Sequence, residues 1–211
     1  MIDGAALQDR LSRGLGSAAR VTGMGYDLFR PVGAFRPLLP ERRVLRLAAA
    51  FDGGNPGYRR PRGYERAMRG TFDADCTLVG DYLVGARGTL FVAMLPALQR
   101  PLCVLTNALL DVVRPAGGMA AGLNGYGGVQ EGLLQPVLSG WPGEVLGGAE
   151  GAPGSLPDDG GMPRWTVLLP PTPVPIQGSD LVQDGAGRRF VVRVAERSEL
   201  GWRLVVRQAG I

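Results

Sequence analysis

Between Tyr82 and Arg114 the chain alternates short apolar runs with glycine or proline turns about every ten residues, at 82–84, 89–94, 102–105 and 108–114. Runs this short and this regularly broken fit the strands of a small barrel or sandwich. The same grammar returns near the end of the sequence, at 165–169, 189–195 and 202–207, and is present earlier at 26–30 and 44–51. Composition supports the reading: 34 glycines and 17 prolines among 211 residues are about twice the usual share. Both residue types cost most inside helices, so the expected fold is mainly β.

One helix is predicted. In residues 3–20, Asp3 is placed to cap the N-terminus, and Leu7, Leu11 and Leu15 recur every four residues on one face. Residues 1–20 are therefore read as an N-terminal amphipathic helix and 21–115 as a first β-barrel-like unit. Residues 164–211 form a second small β unit. Between them, 116–163 is rich in glycine and has little period of either kind, which predicts a long arm or linker, serving as an interdomain connector or a partner-binding extension. Tyr126 and Trp141 are the aromatic contact points expected along that arm.

The two β units share a pattern. Asp81 is followed by Gly88 and by Phe91-Val92, and Asp180 by Gly187 and by Phe190-Val191, at the same spacing; Leu83 matches Val182. Each Asp is expected to bond backbone amides in its own turn, and each Gly to supply a positive φ. "DGAG" at 184–187 reads as an Asp-Gly hairpin turn. Arg-ended apolar pairs, Val112-Val113-Arg114 and Val205-Val206-Arg207, are read as closing the two units. Whether this is one module used twice or two unrelated hairpins stays open at this level.

Side-chain inventory limits the chemistry. The chain has no His and no Lys, and all 23 basic residues are Arg. That excludes histidine general bases, Ser-His-Asp and Cys-His catalysis, HExxH zinc sites and Ser-Lys mechanisms. The close carboxylate pairs are Asp73/Asp75 and Asp158/Asp159, and the second pair lies in the glycine-rich arm. Cys76 and Cys103 lack CxxC spacing and sit in apolar, strand-like surroundings, so two buried free thiols are expected. No cofactor, no metal and no catalytic activity is expected. Nothing in the sequence reads as a signal core or a membrane span, so a soluble protein made in the cytoplasm is expected.

Arginine forks pair well with carboxylates and phosphates. Arg59, Arg60 and Arg62 surround Tyr58 in a glycine- and proline-rich loop, and Arg188 and Arg189 follow the last hairpin. From the residues alone, the cluster around Tyr58 reads as a solvated loop, a loop docking on an acidic surface, or a contact to a phosphate backbone.

The C-terminal stretch "IQGSDLVQDGAGRRFVVRVAERSELGWRLVVRQ" resembles the small β-barrels of tailed-bacteriophage neck proteins, of the head-closure and head–tail connector type. The earlier half, "GDYLVG…GTLFVA…RPLCVLTN…VVRP", is similar to prophage proteins found among structural genes. The pattern covers about half the chain, which is about twice the length of a simple connector. The resemblance implies a virion structural subunit, made in the bacterial host cytoplasm and assembled as a homo-oligomeric ring. It also implies contacts with other virion proteins (portal or adaptor, tail tube or terminator), non-specific contact with packaged DNA and no membrane, with Arg59, Arg60, Arg62, Arg188 and Arg189 as the interface arginines. A baseplate, tail-tip or collar protein is the alternative within the same class. A carbohydrate-active enzyme with a β binding module ranks third.

Overall fold

A computed structural model describes residues 3–52, 63, 64, 66–115, 134–147 and 164–209. The chain divides into two compact units, one comprising Met1–Gly33, Pro37–Thr106 and Glu199–Gly201, the other Ala34–Arg36, Asn107–Ser198 and Trp202–Ile211. Each contains a closed six-stranded barrel, so the mainly β, two-barrel expectation holds.

The first barrel is built from β1 (Met24–Phe29), β2 (Arg43–Asp52), β3 (Met68–Thr71), β4 (Tyr82–Gly85), β5 (Gly88–Met94) and β6 (Leu102–Leu105), in the order β1-β2-β3-β6-β5-β4. With β4 beside β1, the run β4-β1-β2-β3 is a Greek key. Alternation along β1 buries Tyr26 and Leu28, which join Ala49, Phe72, Leu83, Leu90, Val92 and Cys103 in one core. Tyr26 meets Phe51 edge-on at 5.2 Å between ring centroids. Gly85 makes room for it, since a Cβ there would lie 2.5 Å from the Tyr26 ring.

The weak seam of this barrel is β3, which pairs with β6 through only Met68↔Cys103 and Arg69↔Leu102. Arg100 reinforces it. Its guanidinium donates to Asp52 Oδ2 at 2.6 Å, Arg69 O at 3.0 Å and Gly70 O at 3.3 Å, and its own carbonyl accepts from Arg69 Nη1 at 2.6 Å.

The helix, α1 (Gly4–Thr22), packs on β2 and β3 of the first barrel. Asp3 caps it as expected, accepting from the Ala5 N–H at 3.0 Å. Its buried face is not the leucine stripe. Ser12, Gly16 and Ala19 are buried, while Leu11 and Leu15 are half-buried and Leu7 is 42 % exposed. Small residues win because they let the helix backbone come close: a Cβ on Gly16 would stand 2.9 Å from Asp73 Cβ.

The second barrel uses β7 (Ala108–Pro115), β8 (Leu134–Gly147), β9 (Arg164–Leu169), β10 (Leu181–Asp184), β11 (Arg189–Ser198) and β12 (Gly201–Gln208), ordered β7-β8-β9-β12-β11-β10. Strand for strand this is the order of the first barrel. The boundary between the barrels falls between Thr106 and Asn107, so the predicted split at 115/116 assigned β7 to the wrong unit. The predicted arm 116–163 also needs correction. Its residues 134–147 are β8, a fourteen-residue strand pairing with both β7 and β9; the remainder, 116–133 and 148–163, lies outside the described residues.

The β8 strand tolerates Pro136, Gly140 and Pro142 because its ladder to β7 is irregular there. Register shifts flank Val112, and Gly140 takes φ +68° with its N–H donated to Asp111 Oδ1 at 2.8 Å. Bulges of this kind absorb residues that a regular ladder rejects.

Candidate functional site

The predicted interface residues do not form one cluster. Arg59, Arg60, Arg62 and Tyr126 lie outside the described residues. Trp141, expected on the arm, is fully buried in the second unit, and its indole N–H donates to Ala34 O at 2.7 Å. Arg188 is engaged internally: Nε donates to Asp184 Oδ2 at 2.6 Å, and the guanidinium lies over the rings of Trp165 and Phe190 at 5.2 and 5.7 Å. Arg189 is exposed at the start of β11.

Sequence reasoning missed a clamp that occurs once in each barrel. In the first, Arg30 follows β1 and reaches the Asp before β4, with Nε to Asp81 Oδ1 at 3.0 Å and Nη2 to Oδ2 at 2.8 Å. The same Nη2 donates to Cys76 O at 2.9 Å, and Asp81 Oδ2 accepts the Leu78 N–H at 2.8 Å. In the second, Arg114 Nε donates to Asp180 Oδ1 at 2.7 Å and Nη2 to Oδ2 at 2.8 Å and to Pro175 O at 2.9 Å; Asp180 Oδ2 accepts the Gln177 N–H at 2.8 Å. Both aspartate side chains are almost wholly buried, at 2 % and 1 % exposure. The residues before them, Gly80 and Ser179, both take positive φ, at +95° and +73°.

Each clamp sits where the barrel closes, beside the Phe29↔Tyr82 pair of β1–β4 and the Val113↔Leu181 pair of β7–β10. A bidentate fork on a carboxylate fixes both distance and angle, so the seam is held in register by geometry as well as by its ladder. Asp81 and Asp180 bond their turn amides as expected. The expected match of Arg114 with Arg207 is replaced by Arg114 with Arg30, and the usable sequence signal was Arg30-Pro31 against Arg114-Pro115. Hydrogen bonding to the paired aspartate raises the pKa of both Arg30 and Arg114 further above the usual guanidinium value.

The hairpins differ by one residue. Leu83↔Leu90 in the first corresponds to Val182↔Phe190 in the second, so Phe190 takes the place of Leu90 and not of Phe91. The extra residue lies in the 184–188 turn. There Asp184 Oδ1 accepts the N–H groups of Ala186 at 3.0 Å and Arg188 at 2.8 Å. Positive φ occurs at Gly88 and Gly187, as expected, whereas Gly185 of the Asp-Gly pair stays in the ordinary range.

Both cysteines are free, but only Cys103 is buried; Cys76 is exposed on the turn before Asp81, where the sequence reading expected burial. Burial pushes the Cys103 thiol and the Tyr82 phenol well up. A raised folded pKa means the unfolded chain loses its proton first, so the stability is intact below the unfolded value and is lost above it. Stability is therefore expected to be level up to about pH 8.5 and then to fall by about 1.4 kcal/mol per pH unit, with Tyr82 steepening the fall above about pH 10. Denaturant midpoints across that range test it, and Cys103→Val should delay the onset to the tyrosine range.

Fold and clamps together define a tandem Greek-key β-barrel protein with an Arg–Asp clasp at each closing seam. No family model, curated protein or solved structure matches the chain.

Proposed function

We propose that this chain is a structural subunit of a tailed-phage virion, a component of the neck ring joining head to tail. The observation that carries the reading is the repetition itself: two closed barrels of one strand order, each with its own Arg–Asp clasp. Closed barrels hide their strand edges, so a subunit built this way meets neighbours through side chains and loops without inviting uncontrolled edge pairing. That suits repeated packing into a closed ring. Exposed apolar side chains at Val21, Val32, Leu109 and Val194 supply contact positions, and Arg189 adds charge for acidic partner rings or packaged DNA. The resemblance of the 176–208 stretch to connector barrels points the same way.

Mass photometry of the purified chain across rising concentration is expected to give closed oligomers of one size, seen as rings by negative-stain microscopy. A chain that stays monomeric at the highest soluble concentration, with neighbouring genes of a metabolic operon and no portal, capsid or tail genes, would overturn the reading.

A further inference from the structure

The first unit has a cavity of about 240 Å³ between α1 and β2, lined among others by Gly16, Arg20, Arg46, Asp73 and Cys76. We propose that this cavity binds a small phosphate-type oxyanion between the guanidinium groups of Arg20 and Arg46, a role that does not depend on assembly into a ring.

Three observations converge on it. First, Arg20 and Arg46 make no ion pair and donate no side-chain hydrogen bond among the described residues, in a protein whose other guanidinium groups repeatedly clasp carboxylates and carbonyls. Arginine cannot shed its charge, so two such groups lining one small cavity leave it electropositive. Second, both are set in place by backbone elements. Arg20 stands on the last turn of α1, whose C-terminal end favours a cation. Arg46 lies flat over Gly25 of β1, where a Cβ would stand 2.9 Å from its Nε and Nη2.

Third, Asp73 supplies selectivity. Its Oδ1 is spent on the Asp75 N–H at 3.2 Å, while Oδ2 faces the helix where the Gly16 Cβ would be, 3.4 Å away. An oxygen in that position accepts from the O–H of a hydrogen phosphate and repels a simple carboxylate, which has no proton to give. Fork-to-oxyanion hydrogen bonds are charge-assisted and short, which suits a single phosphate group in this volume. Among the described residues no helix packs on the second barrel, so the pairing of a helix arginine with a strand arginine is seen in the first barrel despite the shared strand order.

Cys76 supplies the readout. It lines the cavity and is exposed, whereas Cys103 is fully buried, so N-ethylmaleimide, which carries no charge, should alkylate Cys76 and spare Cys103 in the folded chain. Titrating the full chain with inorganic phosphate at constant ionic strength is expected to slow Cys76 alkylation saturably. It should also shift the Nε–Hε resonances of Arg20 and Arg46. Arg20→Ala and Arg46→Ala should each raise the half-protecting concentration at least about fivefold, the loss of one charge-assisted contact. Arg10→Ala, on another face of α1, should leave it unchanged, and an unreactive Cys103 certifies that each variant is folded. The proposal is overturned by unsaturable protection with unmoved arginine resonances, by an Arg10→Ala effect equal to that of Arg46→Ala, or by protection that acetate matches at the same concentration.

Discussion

Arg114→Ala is expected to destabilise the second barrel by about 3 kcal/mol, the lower end of the range for breaking a buried ion pair from one side. The lower end applies because Arg114 keeps 29 % of its side-chain exposure while Asp180 keeps 1 %. Removing the arginine strands a buried carboxylate with the Gln177 N–H as its remaining donor among the described residues, and water reaches the vacated site only in part. Against a typical domain stability of about 5–15 kcal/mol this is a large fraction. The three tryptophans, Trp141, Trp165 and Trp202, all lie in the second unit, so their fluorescence during urea unfolding follows this barrel. The double variant Arg114→Ala/Asp180→Ala should recover part of the loss, because the stranded charge is then gone. A double variant less stable than the single one would contradict the clamp as described. Arg30→Ala should act in the same direction on the first barrel but less strongly, since Arg30 is 37 % exposed.

The clamps also change what the repeat means. In sequence the shared Asp, Gly and Phe-Val look like hairpin punctuation. In the fold, the Asp is the fixed point of each barrel: its carboxylate holds an arginine from the far side of the closing seam. Meanwhile its backbone N–H and O bond Leu78 O and the Val92 N–H in the first unit, and Gln177 O and the Val192 N–H in the second. The Phe-Val match is a coincidence of register, because one extra residue in the second turn slides Phe190 onto the place of Leu90.

Local signals were legible and long-range ones were not. The Asp3 cap, the hairpin at 85–88 and the strands on either side of it follow from capping chemistry, glycine φ and period-two alternation, all of which act within a few residues. The partner of Asp81 lies 51 residues away, and only the closure of the barrel brings it near. The helix face was misjudged because hydrophobicity marks Leu7, Leu11 and Leu15, whereas close approach to β2 and β3 selects Ser12, Gly16 and Ala19. Cys76 was misjudged for a related reason: apolar neighbours in sequence do not bury a residue that sits on an exposed turn.

The largest misreading carries the largest remaining effect. Prolines and glycines in "LQPVLSGWPGEVLG" hide the alternation of β8, so Trp141 reads as an arm residue waiting for a partner. In the fold it is enclosed, with Val137, Leu138 and Val145 of the same strand also buried, and its N–H is satisfied by Ala34 O. An interface tryptophan truncated to alanine would leave the isolated chain as stable as before and weaken assembly alone. A core tryptophan behaves differently: Trp141→Ala is expected to cost about 3–5 kcal/mol in the isolated chain, from lost transfer energy and the cavity left behind. Trp141→Phe keeps most of the volume but loses the indole donor, leaving Ala34 O with the Ser139 N–H at 3.2 Å, and should cost about 1 kcal/mol, the net worth of one hydrogen bond. Urea unfolding of both variants, followed by far-UV circular dichroism because the mutation removes a fluorophore, separates the two cases. A Trp141→Ala midpoint equal to that of the parent chain would return β8 to the surface and with it the reading of 116–163 as an arm.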